Sequence, residues 1–187
     1  FNIIMDMLDM DYSDSVYRPA EDSYMVMDHA NPGARMLEIG AGSGIISIYF
    51  ASLGKIVTAT DISEDAIKLI KHNAEKNNVR INVIESDLFE NVNGKYNTII
   101  FNPPYLPVEG ESPQWSGGSD GFKVISRFLN DAWKYLEKHG NIYIVLSDLT
   151  DINLLIKNYN NRYNFKKIAS MDFDFESIFL YELTVIS

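Results

Sequence analysis

The chain has 187 residues, 46% of them hydrophobic, and a formal charge of −10 from 16 basic and 26 acidic side chains. That length fills one domain with a sizeable core, and the composition excludes a disordered chain. The absence of cysteine excludes disulfides and thiolate metal sites, and the acidic balance leans against direct nucleic-acid binding, which draws on a basic footprint.

Residues 6–15 are rich in Asp and Ser and predict a flexible lead-in over residues 1–15. Pro19 suits the first turn of a helix over about 19–30, with Glu21 and Asp22 at its positive end and Asn31-Pro32-Gly33 as its stop. Residues 35–39 read as a strand, 43–53 as a helix and 55–60 as a β-branched strand. Ser63 is placed to cap a helix on which Ala66, Ile67, Ile70 and Ala74 recur at helical spacing. Residues 80–85 and 95–101 read as strands. Residues 102–120 form a long loop, and loops of that length inside a domain are usually functional or disordered. Phe122, Ile125, Phe128, Leu129, Ala132, Trp133 and Leu136 make one helical stripe, with Lys138 and His139 at its negative end and Gly140 ending it. Residues 141–146 read as a strand and 151–159 as a helix. Two last strands, near 163–171 and 176–185, have no helix between them and should pair as an antiparallel hairpin. The alternation predicts an α/β, doubly wound, seven-stranded and mostly parallel sheet with a C-terminal antiparallel hairpin, in a single domain over residues 1–187.

His29, His72 and His139 lie far apart and lack ligand spacing, so no metal site is expected. No apolar stretch reaches the roughly 18–20 residues that span a bilayer, and the opening Phe1–Asp6 lacks the basic start of a signal peptide. The expectation is a soluble cytoplasmic protein.

In parallel sheets of this kind ligands bind at the carboxyl ends of the strands, near the switch in strand order. Gly40, Gly42 and Gly44, Asp61, Asp87 and Asn102 all fall at or just after predicted strand ends. The glycines form a strand-to-helix turn that a ligand can approach closely. They depart from the dinucleotide spacing, because Ile45 stands where the third glycine would be. Glu38, just before the turn, suits a cationic amino group and would repel a pyrophosphate. Asp61 can accept two ribose hydroxyls, although it could equally be a turn acid beside the helix cap. Asp87 can accept the exocyclic amine of an adenine with Leu88 against the ring; by itself it would read as a surface acid. An adenosine with an amino-acid tail fits all three acids, and S-adenosylmethionine is that molecule.

Asn102-Pro103-Pro104-Tyr105 directly follows the apolar run Tyr96–Phe101. An amide or aromatic amine is a poor nucleophile, because its lone pair is delocalised. The side-chain oxygen of Asn102 and the carbonyl of Pro103 can accept its two N–H bonds, and Tyr105 can stack on the planar group. Displacement at a sulfonium methyl then needs positioning above all. In isolation the same four residues could be a Pro-Pro turn closing an edge strand.

Together these motifs resemble the class I S-adenosylmethionine-dependent methyltransferases. Within that class Asn102–Tyr105 resembles the HemK-type protein glutamine N5-methyltransferases, which modify the Gly-Gly-Gln loop of peptide-chain release factors. Val16-Tyr17-Arg18-Pro19-Ala20-Glu21-Asp22-Ser23 is similar to the start of the short archaeal and eukaryotic branch, and Trp115-Ser116-Gly117-Gly118-Ser119-Asp120-Gly121 to its Trp-Ala-Gly-Gly-x-x-Gly loop. Arg18 departs from the acid common before the proline, and Ser23 stands where Thr is frequent. The resemblance covers roughly residues 16–185. It implies cofactor contacts at Ser23, Glu38, Gly40, Asp61, Asp87 and Leu88, and a shared cofactor–substrate position at Asn102. Pro103, Pro104 and Tyr105 fall beside it, and Trp115 shapes the substrate channel. It also implies a small zinc-binding activator subunit on the edge strand near 80–86, where Ile81, Val83 and Ile84 stand.

The expected activity is methyl transfer to a release-factor glutamine amide. The competing readings are an adenine N6-methyltransferase on DNA or RNA, which would have to extrude the base, a protein lysine methyltransferase, and a non-catalytic cofactor-binding scaffold, which would have no use for Asn102–Tyr105.

Overall fold

The computed structural model describes residues 3–103 and 119–187. In chain order these hold α1 (Ile3–Asp6), α2 (Glu21–His29), β1 (Arg35–Ile39), α3 (Ile45–Ser52), β2 (Ile56–Asp61), α4 (Glu64–Lys76), β3 (Ile81–Glu85) and β4 (Tyr96–Phe101). Then come α5 (Ser119–Ala132), a 3-10 turn at Trp133–Tyr135, β5 (Leu136–Ser147), α6 (Ile152–Tyr159), β6 (Tyr163–Asp172) and β7 (Ser177–Val185). The strands form one seven-stranded sheet in the order β3-β2-β1-β4-β5-β7-β6. The first five neighbours are parallel, and β7 is antiparallel to both β5 and β6, as the missing helix between the last two strands requires.

Alternate residues of the strands bury on opposite faces. Leu37, Ile39, Ile99, Phe101, Ile142 and Ile144 join the cluster that receives α5 and α6. Met36, Val57, Ile100, Tyr143 and Val145 join the cluster that receives α2 and α3. A parallel sheet covered on both faces follows from strands that are apolar on both sides. Ser63 accepts from the Ala66 N–H at the start of α4, and Asp151 from the Leu154 N–H at the start of α6.

Register places the functional ends. Ile39 lies opposite Phe101, so β1 and β4 finish level at the point where strand order reverses. Asp61 lies opposite Glu85, so Asp87 falls two residues past that pair on the same rim.

Two expectations meet different geometry. The α5 stripe is real, with Ile125, Phe128, Leu129 and Ala132 at most 1% exposed, but the helix ends at Ala132. Leu136 instead opens β5 opposite Tyr96, and a register shift follows between Tyr96 and Thr98. Gly140 is therefore no helix stop. A Cβ there would lie 2.9 Å from the Asn97 and Glu137 carbonyl oxygens, so the glycine lets two backbones meet at a bulge. The acidic lead-in, expected to be flexible, makes contacts: the backbones of Asp9 and Asp11 are hydrogen-bonded to side chains of α4 and its C-cap. No helix among the described residues is long and apolar enough to cross a membrane.

Candidate active site

The level ends of β1 and β4, with those of β2 and β3 beside them, enclose a cavity of about 430 Å³. Ser23, Glu38, Gly40, Gly42, Asp61, Asp87, Leu88, Asn102 and Pro103 all line it, so residues spread over eighty positions converge. Gly44 stands just behind, at the start of α3, with φ 89°, a backbone that strains any side chain, and a Cβ there would press on Ile70 at 3.2 Å. Pro104, Tyr105 and Trp115 lie outside the described residues.

Glu38 is 2% exposed and faces α3, where its Oε1 accepts from Ser47 Oγ at 2.6 Å and from Ser47 N–H at 3.2 Å. Burial pushes its carboxyl up to about 8; the Ser47 bonds pull the other way, and the nearby Asp61 charge adds to the rise. A ligand ammonium at this end of the cavity would relieve that burial by favouring the ionised form. Asp61 does two jobs. Its Oδ2 accepts from Gly42 N–H at 3.0 Å and its Oδ1 from Ser63 N–H at 2.9 Å, so it pins the glycine turn and shapes the approach to α4. A carboxylate has about four acceptor sites, which leaves capacity for ribose hydroxyls.

At the next strand end Asp87 Oδ2 pairs with Arg127 of α5 at 3.1 Å. Leu88 has φ 52°, a left-handed backbone that costs a leucine strain. Ser86 holds it there, donating from Oγ to the Leu88 carbonyl at 2.8 Å while accepting from Asn91 N–H at 3.0 Å. Leu88 thereby lines the cavity beside Asp87.

At the β4 end, Asn102 donates from Nδ2 to Asp22 Oδ2 at 3.2 Å. Asp22 is 5% exposed and also accepts from Tyr17 OH, at 3.1 and 3.2 Å, and from Ser23 N–H at 2.9 Å. Burial, followed by the Asp22 charge, raises the Tyr17 phenol and keeps it a donor. Arg18 stacks over the Tyr12 ring, 4.9 Å from its centre.

Sequence reasoning missed Asp22, Tyr17 and Ile62. Asp22 reads in the sequence as a charge at a helix start, and nothing local reveals that it is buried against Asn102. Ile62 lines the cavity yet is 68% exposed. Its position directly after Asp61 was the available signal.

The chemistry of the donor set fits S-adenosylmethionine: an acid for an ammonium, an acid for two hydroxyls, and an acid with apolar walls for an adenine. A sheet of this order, with a glycine turn after β1, acids at three neighbouring strand ends and Asn-Pro at a fourth, defines an α/β methyltransferase. Comparison with known proteins agrees. The chain belongs to the family described as Methyltransferase small domain, which matches residues 23–170. A Methanocaldococcus jannaschii protein named as a protein N5-glutamine methyltransferase is 43% identical over 145 residues, 72% of this chain and 74% of that one. A release factor glutamine methyltransferase of Streptococcus pneumoniae is 36% identical over 123 residues, 58% of this chain and 44% of that one. Among solved structures, the E. cuniculi Mtq2–Trm112 complex, described as methylating the eRF1 termination factor, has a TM-score of 0.70 and 21% identity over 90% of this chain and 97% of that one. The chain is thus a methyltransferase with S-adenosylmethionine as its donor.

Proposed function

We propose that the chain methylates the side-chain amide nitrogen of the glutamine in a Gly-Gly-Gln segment of a translation release factor, in the cytoplasm. The observation that carries this reading is the buried Asp22 carboxylate holding Nδ2 of Asn102. A carboxylate only accepts, so it selects the NH2 end of the Asn102 amide and turns the Oδ1 end away from itself. An oxygen so fixed is the acceptor that a substrate NH2 group requires. The motif resemblance and the names of the sequence relatives support glutamine as its source.

When bound, S-adenosylmethionine supplies a methyl group on a positively charged sulfur, open to in-line displacement. Glu38 and the Gly40–Gly44 turn hold the amino-acid end, with Ser23 beside it. Asp61 holds the ribose, and Asp87, Leu88 and Ile62 hold the adenine. Asn102 Oδ1 and the Pro103 carbonyl accept the two N–H bonds of the glutamine amide, raise the density on nitrogen and aim it at the cavity. The family resemblance assigns Pro104, Tyr105 and Trp115 to substrate binding. With the cofactor bound, its methyl would pass to the nitrogen so held as the sulfur kept the bonding pair, and the nitrogen would shed its extra proton afterwards. No general base is needed before transfer.

A small zinc-binding activator belongs to the same reading. Its docking edge is β3, the terminal strand of the sheet, which bears Ile81, Val83 and Ile84.

The test is incubation with labelled S-adenosylmethionine and a purified release factor, beside DNA and tRNA. Label on the factor, lost when its Gly-Gly-Gln glutamine is changed, is expected; label on nucleic acid alone overturns the reading. Asn102→Ala should bind the cofactor nearly as the parent does while turnover falls by about 10²-fold or more, the scale of removing one positioned polar group from a transition state. An Asn102→Ala protein as fast as the parent removes Asn102 from the mechanism.

A further inference from the structure

On α4 and its C-cap, Asn73 and Asn77 stand four residues apart and treat the N-terminal segment in the same way. Asn73 Oδ1 accepts from the Asp11 N–H at 2.9 Å, and Asn73 Nδ2 donates to the Asp11 carbonyl at 3.0 Å. Asn77 Oδ1 accepts from the Asp9 N–H at 2.8 Å, and Asn77 Nδ2 donates to the Asp9 carbonyl at 2.8 Å. Each amide therefore closes a ring with both polar groups of a single residue. Only an extended chain turns its own N–H and C=O to one side in this way. The spacing agrees: four helical residues advance about 6 Å, and two extended residues about 6.7 Å. The segment runs antiparallel to α4, with alternate residues read by successive turns.

Asn73 does more. It is fully buried, and its Nδ2 also donates to the Ser43 carbonyl at 2.9 Å. Ser43 belongs to the glycine turn between β1 and α3. One side chain thus joins that turn to Asp11. Downstream of Asp11 the chain crosses the cavity: Ser15, Val16, Tyr17 and Pro19 line it, and a Cβ on Gly42 would lie 3.8 Å from the Tyr17 carbonyl.

We propose that Asn73 and Asn77 form an amide ladder that latches residues 9–17 across the methionine end of the cofactor cavity, with Asn73 as the positioning residue that sets this strap against the glycine turn. The inference rests on the placement of the cofactor given above. The ladder reads backbone only, so it holds the strap whatever its side chains. None of residues 3–15 is buried, and Val16 is the first that is. Leu8 and Met10 pack against the core cluster while still partly exposed, so the stretch before Val16 can lift at a modest cost in buried surface, as elements that open around a ligand do. The ion pairs alongside, from Asp11 to His72 and Lys76 and from Asp9 to Lys76, have side chains 32–68% exposed and are screened by solvent. The Asn73 bonds are not.

The test combines calorimetry with S-adenosylhomocysteine and hydrogen exchange of the peptide over residues 7–17. Asp11→Pro removes the N–H that Asn73 accepts, together with the exposed carboxylate that pairs with His72 and Lys76. Asn77→Ala removes the second rung, and Lys76→Ala removes two of the three ion pairs and neither rung. In the parent, ligand should slow exchange across the strap. Asp11→Pro and Asn77→Ala should each raise Kd about tenfold, the worth of one or two net hydrogen bonds, and abolish that ligand-dependent slowing while the ligand-free unfolding midpoint barely moves. Lys76→Ala should stay within about twofold of the parent, the scale of exposed ion pairs. Parent-like affinity and slowing in both ladder variants overturns the proposal, and so does a Lys76→Ala loss as large as theirs. Asp61→Ala separates the underlying reading: if it binds as the parent does, the cofactor placement itself is wrong.

Discussion

Asp22 and Glu38 are both carboxylates with almost no exposure, and the protein holds them in different ways. Asp22 accepts from three neighbours, Tyr17, Ser23 and Asn102, spread over both its oxygens. Glu38 accepts from Ser47 on one oxygen, and burial dominates its proton affinity. The consequence for stability has a definite sign. Below the ordinary carboxyl value of 4.5 both folded and unfolded chains keep the proton; as pH climbs toward 8 the unfolded chain releases it first. The ligand-free protein should therefore lose stability between about pH 5 and 8 through this residue. Urea midpoints measured across that window should fall for the parent relative to Glu38→Gln, which carries no such proton. A difference between the two proteins that stays flat with pH refutes the assignment.

At the scale of elements, the junction of α5 and β5 shows how a periodic stripe misleads. Trp133 and Leu136 continue the helical spacing of Phe128 and Leu129, and Leu136 is buried, yet it is buried as the first residue of a strand. Burial at i+3 or i+4 does not distinguish a helix from a chain that turns once and runs on beneath the same core. Gly140 is the decisive residue there. Gly140→Ala should cost about 1–3 kcal/mol, the range for forcing atoms into a packed site, seen as a lower denaturant midpoint at constant slope, with cofactor affinity unchanged. A neutral substitution would mean that the two backbones can part easily. Elsewhere the order of strands and helices was legible, because β-branched runs, the Ser63 cap and Gly40–Gly44 are local signals. The cavity-lining Gly40, Gly42, Asp87, Leu88 and Asn102 were legible for the same reason: each follows a strand end, and strand ends can be read. Asp22, Asn73 and Asn77 were not, since their meaning lies in partners far along the chain, 80 residues away for Asp22 and 62 and 68 for the two asparagines.

For the whole molecule, the sheet has two edges of different character. β6 is a long antiparallel edge with exposed Lys166 and Lys167, charges that discourage a neighbouring strand. β3 is short, and Ile81 and Val83 are only partly buried against the small cluster around Ala41, Ala59 and Ile70. Co-expression with a small zinc-binding activator should raise the yield of soluble protein and give a one-to-one complex. Separate elution of the two chains, with no gain in yield or activity, tells against the β3 edge as its seat. The level finish of β1 and β4 has a wider consequence. On the proposed reading, donor and acceptor are carried by adjacent strands whose spacing the sheet's own ladder dictates, so the gap bridged by the travelling carbon is a property of the scaffold's rigid middle. Choice of target can drift with whatever surrounds the opening, while the geometry of transfer stays as it was built.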